Sequence, residues 1–515
     1  MTETPAKILY IDVDSLRPDH LGCYGYDRDT APVVDALARS GMRFTNYYAT
    51  DAPCLPSRTA LFSSRFGIHT GAINHGGITA DARPLGEHRN FRNLDGWKSW
   101  MGALRQEGYY TASLSPFVQR HQAWTVAAGF NEIQDAVGTD ERVGLWQPNA
   151  DEILPYVDDW LDRHATRDRW FLHVNFWDPH TPYATPPEFG DPFADEPAPE
   201  WLTQDIIDEQ RTHAGPHSAR DTFHFSNRSP RFDEGNDLAR VPVEFDIDSR
   251  DAFKTWVDGY DTGVRYMDYH LGLLLDRLKE EGVYDETLII ISADHGEGLG
   301  ELNVYGDHHL ADETTCNVPL IISGPGIESG VNDDFHYQID LAPTVMELVG
   351  GEPGARWDGN SFAPACTTAV ADRDVGREYL VLSQGAWACQ RGVRWDDWLL
   401  LRTYHDGFKS ILGDVMLFDL ETDPHETTNL ANERPEIVET GLSKLGQWHE
   451  KRMLEAARDQ RGGNPKTPNG TTDPMWVDIA NGGPYHTRGH LDSYAKHLRE
   501  TGRKERAATL EHRHR

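Results

Sequence analysis

Apolar residues follow two alternating rhythms along this chain. Short continuous runs at residues 7–12, 42–48, 111–114, 170–176, 287–292 and 319–323 read as strands. Between them apolar positions recur every three or four residues, the period of a helix with one buried face. Residues 30–40 form such a segment, with Asp29 or Thr30 placed to cap it. The strongest covers 253–281, where Phe253, Trp256, Tyr260, Val264, Met267, Leu271, Leu274 and Leu278 make a stripe that belongs to the core. Strands apolar on both faces and separated by helices predict an α/β fold, with a large mixed, mostly parallel sheet flanked by helices over residues 1–375.

Two stretches break this rhythm. Residues 181–250 are rich in proline, acid and histidine with weak periodicity, as expected of a surface insertion. After about residue 375 short strands follow closely at 379–383, 387–394, 398–402 and 415–419, then a helix at 435–457. They predict a smaller C-terminal α+β domain over 376–460, an antiparallel sheet plus a helix. From 461 to 515 the chain opens with RGGNPKTPNGTTDP and reads as a loop-rich tail; Asn469 in it matches a glycosylation sequon that carries no weight without a signal peptide.

Charge narrows the partners. The 515 residues include 83 acidic and 49 basic ones, a net charge of -34, which disfavours nucleic acid and anionic membranes. The apolar runs are far shorter than the ~18 residues that span a bilayer. MTETPAKILYIDVD lacks a basic, apolar and small-residue leader, so a cytoplasmic location is expected. Cys23, Cys54, Cys316, Cys366 and Cys389 are odd in number and lack CxxC spacing, which argues against a disulfide framework or a thiolate zinc site.

Ligands of open α/β sheets collect at the carboxyl ends of strands. Asp12 and Asp14 follow KILYI, His180 follows FLHVNFWDP, Asp294 and His295 follow TLIIISA, and Cys54 lies in the turn after the second strand. Carboxylates converging there suit a hard divalent cation; capping of a helix or turn is the plain alternative for each one alone.

Cys54 sits in CLPSRTALFSSR, and this stretch resembles the signature of the sulfatases of the alkaline phosphatase superfamily, Cys-x-Pro-Ser-Arg followed by x-x-Leu-x-Thr-Gly-Arg. Leu61 and Arg65 match, while Ser63 and Ser64 replace Thr and Gly. ILYIDVDSLRPDHLGCYG, LHVNFWDPHTPY, IISADHGEGLGE and VMLFDLETDPHETTNLA resemble further family segments in family order. The resemblance implies an alkaline phosphatase-like fold and a sulfatase that hydrolyses a sulfate ester. It also implies that a formylglycine-generating enzyme converts Cys54 to formylglycine, whose hydrate attacks sulfur and later expels sulfate as the aldehyde returns.

By the same resemblance Asp14, Asp294, His295 and the modified Cys54 are the metal ligands, with calcium expected and manganese admitted by the imidazole. Asp14-Ser15 stands where many relatives have two aspartates, so Asp12 is the expected substitute ligand. Arg58 would hold the diol, and His180 and His308 would contact sulfate or leaving group. The plain alternative for His308 and His309 is a hydrogen-bonded pair in a surface loop. SPFVQRHQAW replaces a lysine- and histidine-bearing family segment, so Arg120 and His121 are expected to restore the charge. The substrate is expected to be a sulfated small molecule or carbohydrate, with Trp97, Trp100, Trp124, Trp146 and Trp177 as candidate stacking faces. The alternatives are a phosphonate monoester or phosphodiester hydrolase, and an unmodified binding homologue.

Overall fold

The computed structural model describes residues 5–82, 99–137, 147–223, 247–367, 375–459 and 472–515. Its main sheet has eight described strands in the order Gly330–Asn332, Met42–Phe44, Leu320–Ser323, Thr287–Ala293, Lys7–Val13, Trp170–Phe176, Tyr110–Leu114 and Glu132–Gln134. Of these, Leu320–Ser323 alone runs antiparallel to the rest. The strand Lys7–Val13 is central and buried along its whole length. Val13 pairs with both Ala293 and Phe176, so Asp14, Asp294 and Trp177 leave the sheet together at one edge.

Helices Pro32–Ser40, Ala150–His164 and Arg250–Glu280 form one layer. Cys54–Ser63, Trp100–Gln106 and Leu341–Leu348 form the other, packed through Phe62 and Trp100 on the face that carries Tyr10. The long helix matches the predicted stripe and starts at Ser249, whose side chain accepts from the Ala252 backbone. Helix Pro32–Ser40 departs from its predicted cap. Neither Asp29 nor Thr30 caps it; instead Asp268 of the long helix accepts from the backbone N–H groups of Val33 and Val34 at 3.1 and 2.9 Å. The orphan donors of a helix start need an acceptor, and the fold supplies one from 235 residues away.

The smaller sheet runs Val415–Asp419, Trp398–His405, Cys389–Trp395, Leu380–Gln384 and then Asp51–Ala52. Helix Pro435–Asp459 packs on it. Asp51–Ala52, just before Cys54, pairs in parallel with Ser383 and Gln384, so the small sheet helps to place the turn that carries the cysteine.

Two expectations need correction. The stretch expected to be a surface insertion is partly core: Tyr183, Leu202 and Ile207 are buried, because its turns pack under the long helix and over the sheet edge. The described part of the expected loop tail holds helices Pro474–Ala480, Leu491–Glu500 and Lys504–His514. Leu491, Tyr494, Ala495 and Leu498 have helical spacing that the glycine- and proline-rich opening outweighed in the sequence. Residues 461–471, with the Asn469 sequon, lie outside the described residues.

Candidate active site

Cys54 is the first residue of the buried helix Cys54–Ser63. Pro56 falls in the first turn, where its missing N–H has no intrahelical partner to lose. Arg58 follows one turn later on the same face, the physical reason for the four-residue spacing. The helix ends at Ser64 with φ 54°, a left-handed position where glycine has no steric cost; the Ser64 hydroxyl offsets it by donating to the Ile339 carbonyl at 2.7 Å. Leu61 is core, and the Arg65 guanidinium stands 4.0 Å from Asp358, so these matching residues hold the helix and not the reacting groups.

Arg58 is fully buried and divided among three carboxylates. Its Nε donates to Asp12 at 2.6 Å, and its Nη1 to Asp294 at 2.7 Å and Asp14 at 3.2 Å. Asp12 is therefore not where a metal ligand was expected. Its carboxylate also receives His173 Nε2 at 3.2 Å, and it stays outside the cluster of donor atoms, because a strand residue one pair below the sheet edge faces the helix and not the opening.

That cluster is Asp14, Cys54, Asp294 and His295, whose donor atoms all lie within 4.8 Å of one another. His295 Nδ1 donates to the Gly296 carbonyl at 2.8 Å, which leaves Nε2 as a lone pair 3.1 Å from Cys54 Sγ and 3.3 Å from Asp294 Oδ2. Asp294 Oδ1 is held by the backbone N–H groups of His295 and Ser15 at 2.9 and 3.3 Å. Asp14 Oδ1 is buried without a hydrogen-bond partner. Burial, with Asp14 and Asp12 adding to it and Arg58 opposing, pushes the Asp294 carboxyl well above its usual range. Asp14 goes the other way: burial would raise it, but Arg58, His180 and Arg120 hold it well below. Three buried carboxylates face two arginines here, and a divalent cation at the unpartnered oxygen and the imidazole lone pair fits that excess.

The remaining expected residues separate. Arg120 Nη2 reaches Asp14 at 3.3 Å, so it does bring a cation to the centre. His121 does not: its ring packs on Phe117 and His75, because the last turn of the short helix Phe117–His121 points successive side chains in different directions. His180 stacks on Trp177, with centroids 3.9 Å apart, and its Nε2 is 3.9 Å from Asp14 Oδ1. Its Nδ1 donates to the Thr181 carbonyl at 2.5 Å, leaving Nε2 as an acceptor, and burial takes its pKa down to about 4 despite Asp14 and Glu297. His308 lies with its ring 3.9 Å from that of His295. Burial disfavours its charge, yet Asp307, Cys54 and Glu297 raise its pKa well above the usual histidine range. Both His308 and His309 are buried, so a surface-loop pair is excluded.

Of the tryptophans, Trp177 reaches the centre, while Trp100 is core against Tyr10 and Phe171. Trp97, Trp146 and the side chain of Trp124 lie outside the described residues. Two participants escaped sequence reasoning. Glu297 accepts from Thr181 and Tyr183 and stands 3.5 Å from His308; three residues after Asp294, it was within reach of the motif. His173, in the middle of an apolar strand, gave no signal beyond its polarity.

The sheet, the cysteine at a helix start and the carboxylate-imidazole cluster at the strand ends define an alkaline phosphatase-like α/β hydrolase. Residues 6–351 match the Sulfatase family model, and residues 300–451 match that of the N-sulphoglucosamine sulphohydrolase C-terminal region. The chain therefore belongs to the sulfatase family, hydrolases of sulfuric esters. It is 28% identical to a choline-sulfatase of Rhizobium meliloti, covering 90% of each chain, and 24% identical to an ulvan-active sulfatase of Formosa agariphila, covering 88% of this chain and 82% of the other. In fold it resembles BT4656 in complex with its substrate D-glucosamine-2-N,6-O-disulfate, with a TM-score of 0.65, 18% identity and 87% and 98% of the chains covered. A phosphonate monoester hydrolase of Agrobacterium radiobacter superposes equally well, at 0.65 and 19% identity, covering 87% and 96%.

Proposed function

We propose that this enzyme hydrolyses a sulfate ester of a carbohydrate, using Cys54 oxidised to formylglycine by a formylglycine-generating enzyme, and a divalent cation. The observation that carries this reading is the position of Cys54: its Sγ stands 3.1 Å from the His295 lone pair, inside the set formed with Asp14 and Asp294, with Arg58 one turn on. Sγ stands in for the oxygen that the oxidised, hydrated side chain would present. When bound, the cation supplies charge that lowers the pKa of that oxygen and binds a sulfate oxygen. Two carboxylates and a side-chain oxygen favour calcium; His295 leaves manganese as the alternative.

The chain's own residues do the rest. Arg58 fixes Asp12, Asp14 and Asp294 relative to Cys54 and offsets their charge. Arg120 adds a fork of donors for sulfate oxygens. His308, whose charged form Asp307 and Glu297 favour, can give a proton to the departing alcohol oxygen, while His180 Nε2, a lone pair, can take one from the nucleophile side. The carbohydrate part rests on relatives named for ulvan and for a glucosamine disulfate substrate.

The test is mass measurement of the Cys54 peptide after co-expression with the modifying enzyme, with turnover on matched sulfate and phosphonate esters. Aldehyde at Cys54 and preference for sulfate support the reading. An unmodified thiol form of equal activity, or preference for the phosphonate, overturns it.

A further inference from the structure

A chain of polar side chains runs through the core beneath the site. Strands Lys7–Val13, Trp170–Phe176 and Tyr110–Leu114 are neighbours, and their register sets Tyr10 beside His173 and His173 beside Ser113. Asp12 stands two residues on from Tyr10, on the same face of its strand. Ser113 Oγ lies 2.9 Å from His173 Nδ1, His173 Nε2 lies 3.2 Å from Asp12 Oδ2, and that oxygen also accepts from Arg58 Nε at 2.6 Å. Around the imidazole the core is aromatic: it stacks on Tyr10, with centroids 5.5 Å apart, and stands at 78° to Phe62, 5.3 Å away. Ser113, His173, Asp12 and Arg58 are all buried. A polar ring in such a shell costs free energy that an apolar strand residue would avoid, unless both nitrogens are bonded, as they are here.

The direction of each bond follows from what each group can donate. Asp12 beside a guanidinium is a carboxylate and can only accept, so His173 Nε2 donates. Burial lowers the pKa of His173 below its usual value, against the pull of Asp12, and the ring is neutral. Its Nδ1 is then a lone pair, to which the Ser113 hydroxyl donates. Ser113 thus selects the tautomer that points an N–H at Asp12. The Arg58 guanidinium is planar and lies over the Phe117 ring, 4.8 Å from the centroid, so holding its Nε settles where its other N–H groups point.

Arg58 depends on that hold. Its other acceptors, Asp294 and Asp14, take Nη1 at 2.7 and 3.2 Å, and both belong to the metal-ligand cluster, which Asp12 does not. A bound cation would compete with Arg58 for those two carboxylates, and Asp12 would remain as its anchor. Arg58 Nη2 is buried without a hydrogen-bond partner among the described residues, so it is the donor left for an oxyanion. We propose that Ser113 and His173 are positioning residues, which act through Asp12 to aim Arg58 at the reacting anion whether or not the cation holds Asp14 and Asp294. This inference rests on the sulfatase reading above for the reaction and adds the residues that orient its arginine.

The experiment uses full-length, formylglycine-bearing enzyme and 4-nitrophenyl sulfate. His173→Leu removes the donor, His173→Gln replaces it with an amide N–H, and Ser113→Ala removes only the hydroxyl. His173→Leu should lower kcat/KM by about tenfold or more, the scale of one lost hydrogen bond to a charged group, and His173→Gln should recover to within about threefold of wild type. Divalent-cation affinity by isothermal titration should change by less than about threefold, and a crystal structure of His173→Leu should show the guanidinium turned from Asp12. A His173→Leu enzyme within about twofold of wild type overturns the relay, as does a loss of cation affinity as large as the loss of turnover. So does an equal loss in the glutamine variant at an unchanged melting temperature, which would mark the ring as packing alone. If the leucine variant does not fold, Ser113→Ala decides: a fall of about threefold or more supports the relay and a smaller one overturns it. Wild-type enzyme that turns over phosphonate esters and no sulfate ester would count against the sulfatase reading, and the variants would then be compared on the phosphonate.

Discussion

Asp12 and Asp14 are two residues apart on one strand, yet they have separate tasks. Asp14 stands past the last paired residue with its donor atom in the cluster of Cys54, Asp294 and His295, whereas Asp12 gives one oxygen to Arg58 and His173 and lies outside that cluster. Asp294→Ala should accordingly weaken divalent-cation binding more than a hundredfold, while Asp12→Ala, acting through Arg58, should cost about tenfold or less in affinity but much of the turnover. Isothermal titration beside kinetics checks the split, and equal losses of affinity would return Asp12 to the ligand set. Arg120→Ala should lower kcat/KM by roughly ten- to a thousandfold, the scale of a lost charge-assisted contact. His121→Ala, by contrast, should fall by less than about fivefold, since its ring packs beside the centre on Phe117 and His75.

At the scale of elements, helix Pro32–Ser40 shows how a tertiary cap brings a pH dependence. Burial raises the Asp268 carboxyl to about 7, against the downward pull of the Val34 and Val33 N–H groups it accepts from. Unfolded, it titrates near the ordinary value of about 3.9. Between these values the folded chain keeps a proton that the unfolded chain releases, so its contribution is fully present below about pH 4 and is lost as pH rises through 7. Asp268→Asn should therefore lose less stability than wild type between pH 4.5 and 7.5. Urea unfolding at the two pH values measures this, and parallel behaviour of the two proteins would refute it.

The whole molecule carries a net charge of -34, and only ten of its 49 basic residues are lysine. Like charges at this density repel across the surface, and salt shortens their reach from about 10 Å at 0.1 M to about 3 Å at 1 M. The melting temperature should rise from 0.1 to 2 M KCl, and a flat or falling profile by calorimetry would show that self-repulsion is not limiting. Among the described residues no helix is long and apolar enough to cross a membrane.

The strands at 170–176 and 415–419 and the long helix were legible in the sequence because burial on both faces, or on one helical stripe, writes a periodic signal that neighbours do not alter. The CLPSR motif was legible for a similar reason: Cys54 and Arg58 meet through one helical turn, a local distance. What depends on distant parts of the chain was not. The cap from Asp268, the diversion of Asp12 to Arg58 and His173 and the turning away of His121 each join residues far apart in sequence. Local sequence therefore determined which residues could do the chemistry. Tertiary structure alone decided which of them face the same few ångströms, because that choice rests on strand register and on which element packs above the sheet edge.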